Sequence, residues 1–298
     1  MKNRFKSCLK LLVLTAFFGL LFTTSGISKD RATVMVSILP QKYFIHKIAG
    51  DRVHVEVMVL PGANPATYEP KPRQMVLLDK ASMYFAIGVP FEAVWLNRFA
   101  NANPEMTIVH TEQGIEKIPL KGKHSHEGDT EQHHEGTKDP HIWLSPSLVM
   151  IQASNILQAL IANDPSYEDR YRDNYKAFIS ELEILDKRIK AVFSNRPEGA
   201  PFMVYHPSWG YFAEAFGLEQ IPIELEGKEP SPKELADLIH YAQGHRIKAV
   251  IVQPQFSMKS AQTIAKAIGA QVVVADPLAD DWADNLFKVA VLLEQSSR

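Results

Sequence analysis

From Ala32 onward, short apolar runs alternate with amphipathic stretches, the pattern of strands and helices in an α/β protein with parallel sheets. Val34–Leu39, Val53–Leu60, Met83–Ile87 and Met106–Val109 read as the strands of a first lobe. Phe202–Tyr205, Gln220–Ile223, Ala249–Val252 and Gln271–Ala275 read as those of a second. Between them, Tyr171, Tyr175, Phe178, Leu182, Leu185, Ile189 and Val192 recur four and three residues apart, which is one stripe on a long helix. Asp164 is placed to cap that helix and Pro165 to take its first position. A stiff connection of this kind restricts how far a cleft between the lobes can open.

The two halves also echo each other. Ile38-Leu39-Pro40-Gln41-Lys42-Tyr43-Phe44 has a counterpart in Tyr205-His206-Pro207-Ser208-Trp209-Gly210-Tyr211-Phe212, with one residue inserted. Glu69-Pro70-Lys71-Pro72-Arg73 is matched by Glu229-Pro230-Ser231-Pro232-Lys233. Both of the latter should open a helix, and Ser231 with Glu234 fits a capping box. The expectation is two similar lobes, each a parallel sheet flanked by helices, joined by a long backbone helix.

Ahead of this pattern, Lys2, Arg4, Lys6 and Lys10 precede the apolar run Leu11–Phe22, followed by Thr23-Thr24-Ser25-Gly26. That is a secretory signal, shorter than the roughly 20 residues of a membrane-spanning helix. Cleavage near Gly26 removes four positive charges and no negative one, taking the formal charge from −2 to −6, and it removes Cys8, the only cysteine. The mature chain is expected to be periplasmic, soluble, monomeric and free of disulfides. A charge of this sign argues against nucleic acid as a partner. With one cysteine there is no cysteine-ligated zinc or iron–sulfur site. The organisation is then a signal peptide at 1–26, an N-terminal lobe at 27–163, a linking helix at 164–196 and a C-terminal lobe at 197–298.

Histidine carries the chemistry. Lys121–Glu135 holds His124, His126, His133 and His134 among four acidic residues, with no apolar periodicity. Imidazoles with carboxylates are the donors of borderline divalent metals, zinc foremost. A polar loop (121–138) is suited to capture or sensing, because ordering it costs entropy. A principal site needs donors on rigid elements. His206 and Asp276 follow predicted strands of the second lobe, where open α/β sheets bind ligands. His141 lies in Asp139-Pro140-His141-Ile142-Trp143-Leu144-Ser145-Pro146. His110 ends a strand and is a lesser candidate; His46, His54, His240 and His245 read as structural or surface residues.

These features resemble the metal-binding periplasmic proteins of ABC importers, the zinc and manganese class. The resemblance runs through Pro61–Pro70, Glu92–Leu96, Asp139–Pro146, Tyr205–Phe212, Asp276-Pro277-Leu278 and the final helix from Asp281, and so covers nearly the whole mature chain. It implies one metal in a cleft between two lobes, delivery to an ABC permease in the inner membrane, and no enzymatic activity. The histidine-rich loop and a histidine at position 206 are typical of zinc-uptake members, so zinc stands ahead of manganese or iron as cargo. By resemblance the ligands are His141, His206 and Asp276. One departure stands out. Where the family carries its first histidine ligand, this chain has Ala66, whose methyl cannot donate to a metal. Water, Glu69, Tyr68 or a loop histidine is left to complete the shell. A periplasmic zinc buffer serving another soluble protein is the alternative reading. A zinc hydrolase is the third, though no HExxH, GxSxG or P-loop sequence occurs.

Overall fold

The computed structural model describes residues 31–120, 137–224, 228–245, 247–256 and 258–296. The expected signal peptide and the histidines at 124, 126, 133 and 134 lie outside the described residues. The first half runs β1 (Ala32–Val36), α1 (Leu39–Ala49), β2 (Val53–Val57), α2 (Pro72–Leu78), β3 (Met83–Ala86), α3 (Pro90–Ala102) and β4 (Thr107–His110). Helices α4 (Pro146–Asn163) and α5 (Glu168–Val192) follow. The second half runs β5 (Ala200–Val204), α6 (Gly210–Ala215), β6 (Leu218–Pro222), α7 (Pro232–Gly244), β7 (Ala249–Val252), α8 (Met258–Ile268), β8 (Gln271–Val274) and α9 (Trp282–Gln295).

Each half forms a four-stranded, wholly parallel sheet, ordered β2-β1-β3-β4 in one and β6-β5-β7-β8 in the other. The shared order gives the sequence echoes a structural meaning. Both echoed Pro-rich segments start helices at equivalent points, α2 at Pro72 and α7 at Pro232. Ser231 and Glu234 form the expected capping box: the Ser231 amide donates to Glu234 Oε2 at 2.8 Å and the Glu234 amide to Ser231 Oγ at 3.4 Å. The inner strands β3 and β7 are buried along their whole length, and the inner strands β1 and β5 over their last three residues, as fits sheets covered on both faces.

The long helix differs from expectation at its start. Residues Pro165–Tyr167 form a 3-10 turn, and the α-helix begins at Glu168. Asp164 does not cap it because its carboxylate is taken by Arg52 Nε (2.7 Å) and by Ser166 Oγ (2.6 Å), while its amide closes α4 on Leu160. Further along, the stripe behaves as its spacing requires: Tyr171, Phe178, Leu182, Leu185 and Ile189 are buried, with Tyr175 and Val192 packed beside them. Helix α4, mostly apolar, packs along α5 and was not anticipated as a separate element.

One core joins α1, α4, α5 and α9 with β5 and Trp209. A second, smaller core lies within the C-terminal sheet around Met203, Ile221 and Val250. Chain crossing is explicit at Trp282, which packs edge-on to Phe44 (centroids 5.0 Å apart) and donates from Nε1 to Trp143 O at 2.8 Å. In return, Trp143 Nε1 donates to Pro277 O at 2.7 Å. Two buried indoles thus fasten the segment after β8 to the segment carrying His141. Among the described residues no helix is long and apolar enough to cross a membrane.

Candidate metal centre

The order β6-β5-β7-β8 reverses direction between β5 and β7, and an open parallel sheet forms its binding crevice at the carboxyl ends of two such strands. His206 lies two residues past β5, and Gln253 directly follows β7. Gln253 ties them together: its Nε2 donates to His206 O (2.6 Å) and Ser208 Oγ (2.8 Å), and its Oε1 accepts from the His206 amide (3.3 Å).

The His206 ring is fixed on three sides. Phe256 stacks on it at 4.5 Å between centroids and 16° between planes. Glu224, a buried carboxylate at the end of β6, meets Nδ1 at 3.2 Å. The third neighbour is His141, whose ring centroid lies 5.4 Å away at 75°. His141 is itself held by a buried carboxylate: Asp139 Oδ1 accepts from its amide (2.8 Å) and meets its Nδ1 at 2.7 Å.

The two histidines therefore have the same electronic arrangement. A carboxylate only accepts, so each neutral ring carries its proton on Nδ1 and presents the lone pair on Nε2. Carboxylate–histidine pairs of this kind orient metal-ligating imidazoles and raise their basicity. Burial holds the pKa of His206 below the ordinary 6.5, against the opposing pull of Glu224, so the ring is neutral at pH 7 and ready to donate. Spacing points the same way. A zinc ion ~2.05 Å from each Nε2 sits ~3.2 Å from each ring centre, and a tetrahedral angle then sets the centres ~5.2 Å apart. The observed 5.4 Å is close to that.

Asp276 is placed by a different set of contacts. Its Oδ1 accepts from Gln255 Nε2 and from the Leu278 amide, both at 2.9 Å, and its carbonyl accepts from Asn285 Nδ2 at 2.8 Å. The next residue, Pro277, receives the Trp143 indole, two residues from His141. Among the described residues, no three His, Cys, Asp or Glu side chains come together closely enough to hold one ion. The structure pairs His141 with His206 and leaves Asp276 bonded to Gln255.

The other sequence candidates fall elsewhere. Tyr68 is buried, its hydroxyl donating to Gln74 Oε1 at 2.8 Å and its ring against Phe91. Glu69 and Ala66 are exposed, and the Ala66 amide turns onto Asn64 Oδ1 (2.8 Å). His110 pairs with Glu112, His54 with Glu56, and His245 stacks on Tyr241, none of them near the two paired histidines in these contacts. Sequence reasoning missed the roles of Asp139 and Glu224. Asp139 had a signal, since an Asp two residues before a His readily turns back onto its amide. Glu224 had none, being 18 residues from its partner.

The family model described as "Zinc-uptake complex component A periplasmic" matches residues 34–289. This chain belongs to that family. It is accordingly a solute-binding protein of metal uptake, not an enzyme, and the hydrolase reading is set aside. Among curated relatives, the high-affinity zinc uptake system protein ZnuA of Bacillus subtilis is 28% identical over 262 residues, covering 84% of this chain and 79% of the relative. A putative metal-binding protein of Chlamydia muridarum is 28% identical over 284 residues, covering 95% and 98%. A crystal structure of ZnuA is 42% identical, with a TM-score of 0.83 over 90% of this chain and all of that one. A ZnuA deletion mutant with zinc bound matches at 42% identity and a TM-score of 0.82, covering 90% of this chain and 98% of that one.

Proposed function

We propose that this chain captures zinc in the periplasm at a site built on His141, His206 and Asp276 and delivers it to an ABC permease of the inner membrane. The observation that carries this reading is the pair of imidazoles 5.4 Å apart, each held at Nδ1 by its own buried carboxylate. Family membership and the zinc-bound ZnuA structure support zinc as the cargo. Asp276 supplies oxygen and offsets charge once it leaves Gln255. The fourth position, vacant of protein donor at Ala66, falls to water, to the exposed Glu69 or to a histidine of the 121–138 loop. Tyr68 is the poorest of the candidates, because its hydroxyl is already committed to Gln74. Protons compete with zinc for the two Nε2 lone pairs, so affinity falls in acid.

In this reading residues 1–26 are the export signal, 27–163 and 197–298 are the two lobes, and 164–196 is the connection that keeps them from opening widely. The protein acts as a monomer.

The lack of a donor at Ala66 favours a weaker, more exchangeable site, and with the histidine-rich 121–138 segment this supports the zinc-buffer reading. A clean deletion of the gene separates the two. A transport protein leaves a growth defect under zinc limitation that added zinc reverses. Normal growth at limiting zinc contradicts delivery to a permease.

A further inference from the structure

The segment that carries His206 also grips the residue that holds His141. Four residues after His206, Gly210 lies against Asp139, and a Cβ there would sit 2.7 Å from Asp139 Oδ2, inside contact distance. Any side chain there forces the buried Asp139 carboxylate, which is bonded to His141, to move. The neighbour of Gly210, the buried Tyr211, donates its hydroxyl to Asp139 O at 2.9 Å and accepts from the Ile118 amide at 3.1 Å. Asp139 in turn takes both the amide and Nδ1 of His141 on Oδ1 and donates its own amide to Ile118 O at 2.9 Å.

We propose that Gly210 and Tyr211 are positioning residues that fix the spacing of the two histidines by clamping Asp139, and thereby set the preference for a small tetrahedral ion. The inference rests on the zinc site proposed above. The path from one ring to the other is short and closed: His206, the Pro207-Ser208-Trp209 turn, Gly210 and Tyr211, Asp139, His141. Each joint of it is restrained. Gln253 bonds both His206 and Ser208, the Ser208 amide donates to His206 O at 2.8 Å, and the Trp209 amide donates to Gln220 Oε1 at 2.6 Å with its indole fully buried. A path with no slack holds the rings at one separation, and a shift of a few tenths of an ångström at Asp139 is passed to His141. Ions with longer bonds and six ligands are penalised by such a frame more than zinc is.

The test is zinc and manganese affinity by chelator competition, together with the visible d–d spectrum of the Co²⁺-loaded protein, on Tyr211→Phe, Gly210→Ala, Asp139→Ala, Gly210→Ala/Asp139→Ala and His206→Ala. Asp139→Ala should weaken zinc by about 10- to 100-fold, the usual effect of removing a partner of a ligating histidine, and Tyr211→Phe and Gly210→Ala, one contact further out, should each weaken it several-fold. Manganese should change less, so the zinc-to-manganese ratio falls, and the Co²⁺ bands should weaken or move. In the Asp139→Ala background Gly210→Ala should have no further effect, because the clashing carboxylate is gone. Unchanged zinc affinity and Co²⁺ spectra in both single variants, with binding lost in His206→Ala, would overturn the clamp and leave the site standing. Tight zinc binding that survives His206→Ala would overturn the site and the clamp together. Tyr211→Phe deletes one oxygen, so it reports even where Gly210→Ala fails to fold.

Discussion

Phe256 lies flat on His206, its ring 4.5 Å away and tilted by only 16°. The contact comes from the loop after β7 and presses on a histidine placed two residues past β5, so two neighbouring strands of one sheet meet in a single ring stack. Phe256→Ala should free the His206 ring to rotate and lower zinc affinity several-fold, while unfolding changes less than for a fully buried phenylalanine because Phe256 is only half-buried. Zinc titration beside thermal unfolding of the metal-stripped protein checks this.

Glu224 gives a sharper case. It raises the pKa of His206 against the larger lowering by burial. Glu224→Gln should therefore drop that pKa further, measured by NMR titration of the metal-free protein, and weaken zinc by about 10- to 100-fold. A His206 pKa that rises in the variant contradicts the assigned hydrogen bond.

A buried carboxyl of the first half, Glu92, links stability to pH. Glu92 accepts from the Ile87 amide (3.0 Å) and the Gly88 amide (2.7 Å) and is hydrogen-bonded to Ser37 Oγ, which also meets Tyr84 OH at 2.7 Å. Burial pushes its pKa up to about 7 from 4.5. The folded state keeps a proton that the unfolded chain has released, so stability falls as pH rises between those values and levels off above. The group's share of that fall is roughly 3 kcal/mol. Urea unfolding of the metal-free protein at pH 5 and pH 8 should show it. Glu92→Gln should flatten the dependence while losing stability at both pH values, since both carboxylate oxygens accept hydrogen bonds.

Trp282 joins the final helix to α1 and to the His141 segment. Trp282→Ala should cost about 3–5 kcal/mol in urea unfolding, and Trp282→Phe less, losing mainly the bond to Trp143 O.

Most of the fold was legible because its determinants are local. Eight apolar runs became eight strands, Ala249–Val252 with the bounds expected and the others shifted by one to three residues at their ends. Where a strand ends early, apolar residues such as Ile38, Leu39 and Tyr205 continue past the last ladder pair into the turn or the next helix, and where β1, β5 and β6 start early, the ladder takes in less apolar residues such as Thr33, Pro201 and Glu219. The stripe on α5 was legible for the same reason, whereas its start was not: Arg52, 112 residues away, takes the carboxylate expected to cap it. The site divides likewise. His206 and Asp276 advertise themselves by residue type and by position after strands, and His141 by its Asp139–Pro146 segment. The pairing of His141 with His206 and the close approach of Gly210 to Asp139 are contacts between the halves, and the hold of Glu224 joins two strand ends of one sheet; all three are tertiary facts.

Calorimetric titration of the metal-stripped protein with zinc, on wild type, a deletion of 121–135 and His206→Ala, tests the central claim most directly. One zinc bound tightly by wild type, retained after the deletion and lost in His206→Ala, is the predicted result. Binding that disappears with the deleted segment and ignores His206 would contradict it.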